Sequence, residues 1–169
     1  GRGIVMEERK HDIVKDAYYL ISKFLDAGKD ITNLQVQKLM YFFEAYYMNV
    51  YDEKKVYDCN FCAWAFGPVA IPLYKEFKKF GNNCIELTEE ERAEGNSIDN
   101  ESKGLLDVIY NVFCDVPAMK LVEYTHRQDS PWTDVWERNG KKVGYGDNTY
   151  IDKEASKIWF RKTFEKKHE

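Results

Sequence analysis

Cysteines and long apolar runs are scarce in this sequence, and each scarcity excludes a class of protein. The 169 residues contain four cysteines. These are too few for the disulfide framework of a secreted domain, so we expect a cytoplasmic protein. The longest unbroken apolar run is Leu39 to Phe43, far short of the roughly 20 residues that a membrane-spanning helix needs. With no signal peptide recognisable, we expect no membrane partner.

A positive net charge is also missing. The formal net charge is −4 and the sequence pI is about 5.5, whereas a dedicated nucleic-acid-binding domain is usually basic. The charge is uneven, however. Residues 86–101 carry seven acids against one base, which predicts an exposed, mobile acidic connection with at most one helical turn. The stretch Lys157 to Lys167 is basic and is interpreted as a solvated helix face, with phosphate binding as the alternative.

The residues that are abundant support one helical domain. Hydrophobic residues make up 44% of the chain and aromatic residues 15%, enough for a sizeable core in a chain of this length. We assign residues 1–10 to an N-terminal extension, in which Gly1 to Val5 resembles a cloning remnant and Met6 a natural start. Residues 11–169 are assigned to a single domain.

The stretch Thr32 to Tyr51 is predicted to be the central helix of that domain. Thr32 and Gln35 have the spacing of a capping box, in which each side chain bonds the other residue's backbone N–H. Apolar residues follow on nearly every face, and only Lys38 and Glu44 are charged. A helix that is apolar nearly all round is buried, so the remaining elements are expected to pack around this one.

We predict a mainly α fold with five to seven helices and at most a small β hairpin. Sheet is confined to Cys59–Phe66 and Val143–Tyr150 in this prediction, and Gly67-Pro68 is interpreted as a chain break. The other predicted helices are His11 to Ala27, one beginning near Pro72 and ending at Gly81, Ser102 to Cys114, one from Pro117 to Thr125, a short one opened by Ser130-Pro131, and one from Asp152 to Lys167.

Two arrangements suggest chemistry, and each has a plainer interpretation. Cys59 and Cys62 have the spacing of half a zinc site, but the other ligands would have to come from the isolated Cys84, Cys114 or His126. Burial as free thiols is the plainer interpretation.

His126 and Asp129 are close enough in sequence to form an acid–base pair. No nucleophile motif stands beside them. A histidine that caps the end of a helix explains His126 as well.

The aromatic content exceeds what a domain of this size readily buries. With 12 Tyr, 10 Phe and 4 Trp, an exposed aromatic patch is expected, and such patches are typical of protein interfaces. Tyr74, Trp132 and Trp136 are the candidate partner-binding residues, although each suits the core equally well.

Three stretches in order resemble one family. They are ITNLQVQKLMYFFEAYYM (Ile31 to Met48), AWAFGPVAIPLYKEFKKFG (Ala63 to Gly81) and LVEYTHRQDSPW (Leu121 to Trp132). Together they resemble the SocA-like, or Panacea, antitoxin domain and phage-associated GepA-like proteins. Phe66 replaces the usual Tyr of the second motif, and Val36 a common Leu of the first. The matching positions are Thr32, Asn33, Leu34, Gln37, Lys38, Leu39, Tyr41, Trp64, Gly67, Pro68, Val69, Tyr74, Thr125, His126, Pro131 and Trp132.

The resemblance implies a non-enzymatic antitoxin that binds and neutralises a toxin encoded by a neighbouring gene. It also implies, as a further option, an adaptor that delivers the toxin to a ClpXP-type protease. It carries no catalytic residue, cofactor or metal, and the roles of His126, Pro131 and Trp132 are taken as structural. The alternatives are a small hydrolase or metal site using His126 with Asp129 or the cysteines, and a nucleic-acid-binding regulator using the basic C-terminal helix.

Overall fold

A computed structural model describes residues 11–165, and in this range the chain is mainly α-helical with one small hairpin, as predicted. It forms eight α-helices, one more than the upper end of the expected range. The elements are α1 (Ile13–Asp26), α2 (Asn33–Tyr51), β1 (Phe61–Trp64), β2 (Gly67–Ala70), α3 (Ile71–Phe77), α4 (Glu89–Asn96), α5 (Asn100–Phe113), α6 (Ala118–Thr125), α7 (Pro131–Arg138) and α8 (Lys153–Phe164). Short 3-10 turns occupy Lys78–Phe80 and Asp147–Thr149.

Helix α2 begins at the capping box that its sequence predicts. The Gln35 side-chain oxygen accepts from the Thr32 N–H at 2.8 Å, and the Thr32 hydroxyl accepts from the Gln35 N–H at 3.4 Å. The helix ends at Tyr51 and is followed by the capping residue Asp52, whose φ of 51° is left-handed. Satisfying the first free N–H groups fixes where the helix starts and therefore which side chains face each neighbouring element.

The aromatic side chains of α2 form the centre of the core. α2 packs on α5, α6, α8 and β2. The Phe42 ring is surrounded by rings of α5 and α8. Its neighbours are Phe113 at 5.1 Å, Trp159 at 6.1 Å, Phe160 at 5.9 Å and Phe164 at 5.1 Å between centroids. Aromatic pairs at such separations add about 0.5–1.5 kcal/mol each beyond the burial of apolar area.

The acidic stretch 86–101 is more ordered than its composition predicts. It contains α4, a helix of about two turns, whose capping box joins Thr88 and Glu91. Three glutamates lie in its first turn, where the helix dipole favours negative charge. Gly95 lies so close to α1 that a Cβ at this position would come within 2.7 Å of the Tyr19 nitrogen. The stretch therefore has more helix than the single turn expected, because capping and close packing outweigh its polar composition.

The first strand of the hairpin lies in the stretch where sheet was expected, and the second strand lies beyond it. β1 and β2 pair antiparallel, with Phe61 opposite Ala70 and Trp64 opposite Gly67, so Ala65 and Phe66 form the turn. The predicted break at Gly67-Pro68 is instead the start of β2. In Val143–Tyr150 the structure has a 3-10 turn and one isolated bridge between Cys62 and Tyr150 rather than a hairpin.

A buried ion pair ties the loop after α2 to α8. The Glu44 carboxylate is buried and accepts from the Val56 and Tyr57 N–H groups at 3.0 Å each. Lys153 Nζ donates to both of its oxygens at 2.7 and 2.8 Å, and to the Cys59 carbonyl at 2.9 Å. Since each charge has a partner and further hydrogen bonds, the desolvation cost of burying the pair is offset.

Replacing Thr32 with alanine should destabilise the domain by about 1 kcal/mol, because the substitution removes the hydroxyl that accepts from the Gln35 N–H. Thermal unfolding followed by circular dichroism measures the effect as a lower melting temperature. Thr32→Ser is the matched control, since it keeps the hydroxyl and should stay close to wild type. Equal melting temperatures for the alanine and serine variants would contradict a stabilising cap.

Candidate functional site

The matching positions of the first motif include a lysine with no exposure to solvent. The Lys38 side chain is 0% exposed, and its Nζ donates to the Pro68 carbonyl of β2 at 2.9 Å. Within residues 11–165 no carboxylate forms an ion pair with it. Burial disfavours the charged form of the amine and lowers the pKa of Lys38 to about 7. The lysine therefore holds β2 through a backbone carbonyl at the cost of desolvating its amine.

Because Gly67 has no side chain, the Lys38 side chain can occupy the space beside it. A Cβ at Gly67 would lie 2.8 Å from Lys38 Cε and 2.8 Å from Thr125 Oγ1. The φ of Gly67 is +105°, a conformation that residues with a side chain rarely adopt. Lys38, Gly67 and Thr125 belong to the three separate motifs, so the fold brings all three motifs together at one place, which we call the motif cluster.

Gln37 makes a second connection from α2 to the hairpin. Its side-chain oxygen accepts from the Ala70 N–H at 2.9 Å, and its nitrogen donates to Asn33 Oδ1 at 3.1 Å. Gln37 and Lys38 are neighbours in sequence, and each bonds the backbone of β2. Several other matching positions of these two motifs serve the helix cap or the core. Thr32 caps α2, Leu34 is half-buried, Leu39, Tyr41 and Val69 are buried, and the Tyr41 hydroxyl shares a hydrogen bond with Ser156.

The third motif closes the cluster from the other side. Ser130 caps α7 by accepting from the Thr133 N–H at 3.1 Å, and its hydroxyl donates to the Thr125 carbonyl at 2.6 Å. Pro131 follows in the first turn of α7, as predicted. The Trp132 indole then donates to the Trp64 carbonyl at the end of β1 at 2.7 Å. The hairpin is therefore bonded by α2 on one side and by α7 on the other.

His126 lies inside this cluster but not beside Asp129. Its ring stacks on Trp132 with centroids 3.7 Å apart and planes 11° apart. Burial and the nearby Lys38 amine lower the pKa of His126, which favours the neutral ring. Its Nε2 is buried without a hydrogen-bond partner among the described residues. No hydrogen bond or ion pair joins His126 to Asp129 in the described range, so the structure does not assemble the acid–base pair that the sequence suggested.

The cysteines do not converge on a metal site in the part of the chain that the structure describes. All four are free. Cys62 lies buried in β1, and burial raises the pKa of its thiol. Over residues 11–165 no three His, Cys, Asp or Glu side chains have an arrangement that could hold a metal ion. The zinc interpretation gains no support from this geometry.

The three candidate partner-binding residues differ in exposure. Trp132 is only 6% exposed and belongs to the core, which corrects its place among the surface anchors. Trp136 is half-buried and stacks on Trp132 with centroids 5.6 Å apart. Tyr74 is half-buried and meets the Trp64 ring edge-on at 5.0 Å. Tyr74 and Trp136 therefore keep some surface for a partner.

The most exposed aromatic side chains were missed by the sequence reasoning. Phe66 is 60% exposed and Tyr145 is 66% exposed. Phe66 ends the stretch Cys59–Phe66 and Tyr145 lies within Val143–Tyr150, the two stretches to which any sheet was confined. The signal for Phe66 was the Gly67-Pro68 pair after it, because that pair placed Phe66 in the turn.

The basic C-terminal helix is shorter than predicted within the described range. α8 ends at Phe164, and the predicted end at Lys167 lies outside the described residues. Lys157 pairs with Asp52 at 2.9 Å. One of the positive charges of α8 is therefore used in the contact with the end of α2. Over residues 11–165 no helix is both long and apolar enough to cross a bilayer.

These features define a helical domain whose separated motifs meet around a buried lysine. The family model of the antitoxin SocA-like, Panacea domain matches residues 36–133, which is more than half of the chain. The chain belongs to this family, as its motifs predict. No curated protein and no solved structure matches it.

Replacing Lys38 with methionine should change how stability depends on pH. In the wild type the unfolded chain keeps the lysine proton up to about pH 10.5, whereas the folded chain releases it near pH 7. Wild-type stability therefore gains a contribution that rises with pH between these values and is flat below pH 7. Methionine lacks the titrating amine and loses this contribution.

The free energy of unfolding of wild type minus that of Lys38→Met should rise by about 1 kcal/mol per pH unit from pH 7 towards pH 10. Urea unfolding at pH 6, 7, 8 and 9 measures it, with wild type and variant in the same buffers. A difference that stays constant across this range would show that Lys38 is protonated in the folded chain throughout.

Proposed function

We propose that this protein neutralises a toxin encoded by a neighbouring gene through direct, stoichiometric binding. Its membership of the SocA-like Panacea antitoxin family carries the proposal. The family supports a role in a toxin–antitoxin system in general, and direct contact is the step that we add. We place the interaction in the cytoplasm, where the four free thiols would stay reduced.

The polar groups of the motif cluster support contact rather than catalysis. Lys38 bonds a backbone carbonyl, Gln37 a backbone N–H, and the Trp132 indole another carbonyl. Each of these side chains is used to hold the hairpin, and a catalytic group would instead present its polar atom to a substrate. His126, whose Nε2 has no partner in the described range, stacks against Trp132. We therefore infer a non-enzymatic role in which the cluster positions a surface.

The partner-binding residues in this proposal are Tyr74 and Trp136, since both are half-buried beside the cluster. Half-exposed aromatic side chains on a rigid support are typical anchors of protein interfaces. Trp132 stacks on Trp136 and belongs to the core, so it contributes to folding rather than to partner binding.

A proteolytic adaptor role is the second step of the proposal. If the protein delivers its toxin to a ClpXP-type protease, then the toxin's half-life in cells should shorten when the antitoxin is present and the protease is active. Toxin that is neutralised yet equally long-lived would leave direct binding as the whole mechanism.

Alanine substitutions at Tyr74 and Trp132 should separate binding from folding. Trp132→Ala removes a core indole and should cost roughly 3–5 kcal/mol of stability. Tyr74→Ala should keep the melting temperature near wild type while weakening the complex by at least tenfold, as expected for an interface anchor. Co-expression with the neighbouring gene product, growth rescue and pull-down with wild type and each variant measure the effect.

The proposal fails if the neighbouring product is harmless when expressed alone, or if the antitoxin rescues growth without a detectable complex. Rescue without a complex would favour catalytic removal of a toxic product. Full rescue by Tyr74→Ala would remove this residue from the interface without affecting direct neutralisation.

A further inference from the structure

We propose that the tip of the β1–β2 hairpin is the surface that docks the toxin, and that it takes an acidic, partly apolar face of that protein. The hairpin-tip surface consists of Phe66, Val143 and Tyr145, with Trp64 beneath them. This inference rests on the proposed function. It extends the interface from Tyr74, which contacts Trp64, to the hairpin tip, and it names the partner chemistry that the proposed function leaves open.

Three large, exposed apolar side chains belong to the hairpin turn and to the segment that contacts the hairpin through Trp64. Phe66, Val143 and Tyr145 are among its most exposed hydrophobic residues. Phe66 lies in the two-residue turn of the hairpin. Because its side chain is 60% exposed, the phenylalanine ring contributes little to the core. Exposed apolar groups brought together in this way are characteristic of interaction sites.

Trp64 joins the hairpin to the segment that carries Val143 and Tyr145. Its indole N–H donates to the Gly144 carbonyl at 3.0 Å, and its ring meets Tyr145 edge-on at 5.4 Å. On its other side the ring meets Tyr74 at 5.0 Å, and its carbonyl accepts from the Trp132 indole. Because the support is hydrogen-bonded and packed on both sides, little conformational freedom remains to be lost when a partner binds.

Three exposed lysines adjoin this surface in sequence and form no ion pair among residues 11–165. Lys75 follows Tyr74, and Lys141 and Lys142 come directly before Val143. Unpaired cations beside an apolar surface match a partner with acidic side chains around an apolar patch, which steers association and selects the partner.

A protein face fits this surface better than a nucleic acid. Single-stranded nucleic acids bind by stacking bases on open aromatic faces. The Trp64 ring is in edge contact with Tyr74 and Tyr145, and its N–H is already bonded to Gly144. The chain as a whole carries a net charge of −4, which opposes a polyanion.

Another exposed apolar patch provides the matched control. Val112 on α5 is 59% exposed, nearly the same as Phe66, and lies on a different element. Lys54, in the loop after α2, is the control for Lys142, since both are exposed lysines outside regular structure. These pairs separate the effect of location from the effect of losing an apolar group or a positive charge.

The test measures binding of the purified, inactivated product of the neighbouring toxic gene by calorimetry at two salt concentrations. Phe66→Ser and Tyr145→Ser should each raise Kd at least tenfold, and Lys142→Glu should raise it several-fold with a weaker salt dependence than wild type. Val112→Ser and Lys54→Glu should bind like wild type. All five variants should melt within a few degrees of wild type, since the replaced side chains are exposed.

Three results overturn the inference in distinguishable ways. If wild type binds and the hairpin-tip variants bind equally well, the surface is wrong and direct neutralisation stands. If wild type does not bind the toxin at all, the proposed function fails and this inference fails with it. A single-stranded oligonucleotide that binds wild type but not Phe66→Ser, while toxin binding is unchanged, would assign the surface to nucleic acid instead.

Discussion

The hydrogen bond from the buried Lys38 amine to the Pro68 carbonyl is the constraint on which the arrangement of this domain depends. An amine removed from water costs free energy, and the lowered pKa of Lys38 is the direct sign of that cost. The buried amine lies where α2, β2 and the end of α6 meet. A side chain at position 67 would clash with its neighbours there, so only glycine fits. The position of the hairpin relative to the central helix follows from this contact.

The same polar groups explain how a domain with an apolar central helix can present a defined surface. Gln37 and Lys38 bond β2, and Trp132 bonds the end of β1, so the hairpin is held at its backbone from both sides. Backbone contacts leave the side chains of the turn free to face solvent. This arrangement places Gln37, Lys38 and Trp132 beneath the exposed turn rather than on the surface.

Much of the helical framework could be predicted from the sequence because its determinants are local. The Thr32 and Gln35 cap, the proline in the first turn of α3 and the Ser130-Pro131 start of α7 each depend on residues within a few positions of one another. Composition was a poorer guide. The acidic stretch 86–101 contains a capped helix, because Gly95 allows it to lie directly against α1.

The helical class, the buried character of α2 and the family follow from the order of residues alone, since periodicity, caps and ordered motifs are local features of the chain. Which aromatic side chains are buried depends on the packing of the elements. Trp132 is core and Phe66 is surface, although both stand in aromatic-rich motifs. The same packing brings Lys38, Gly67 and Thr125 together. Burial and contact between distant positions depend on how elements pack, and no local pattern records the side chain that a distant element will place beside a given residue.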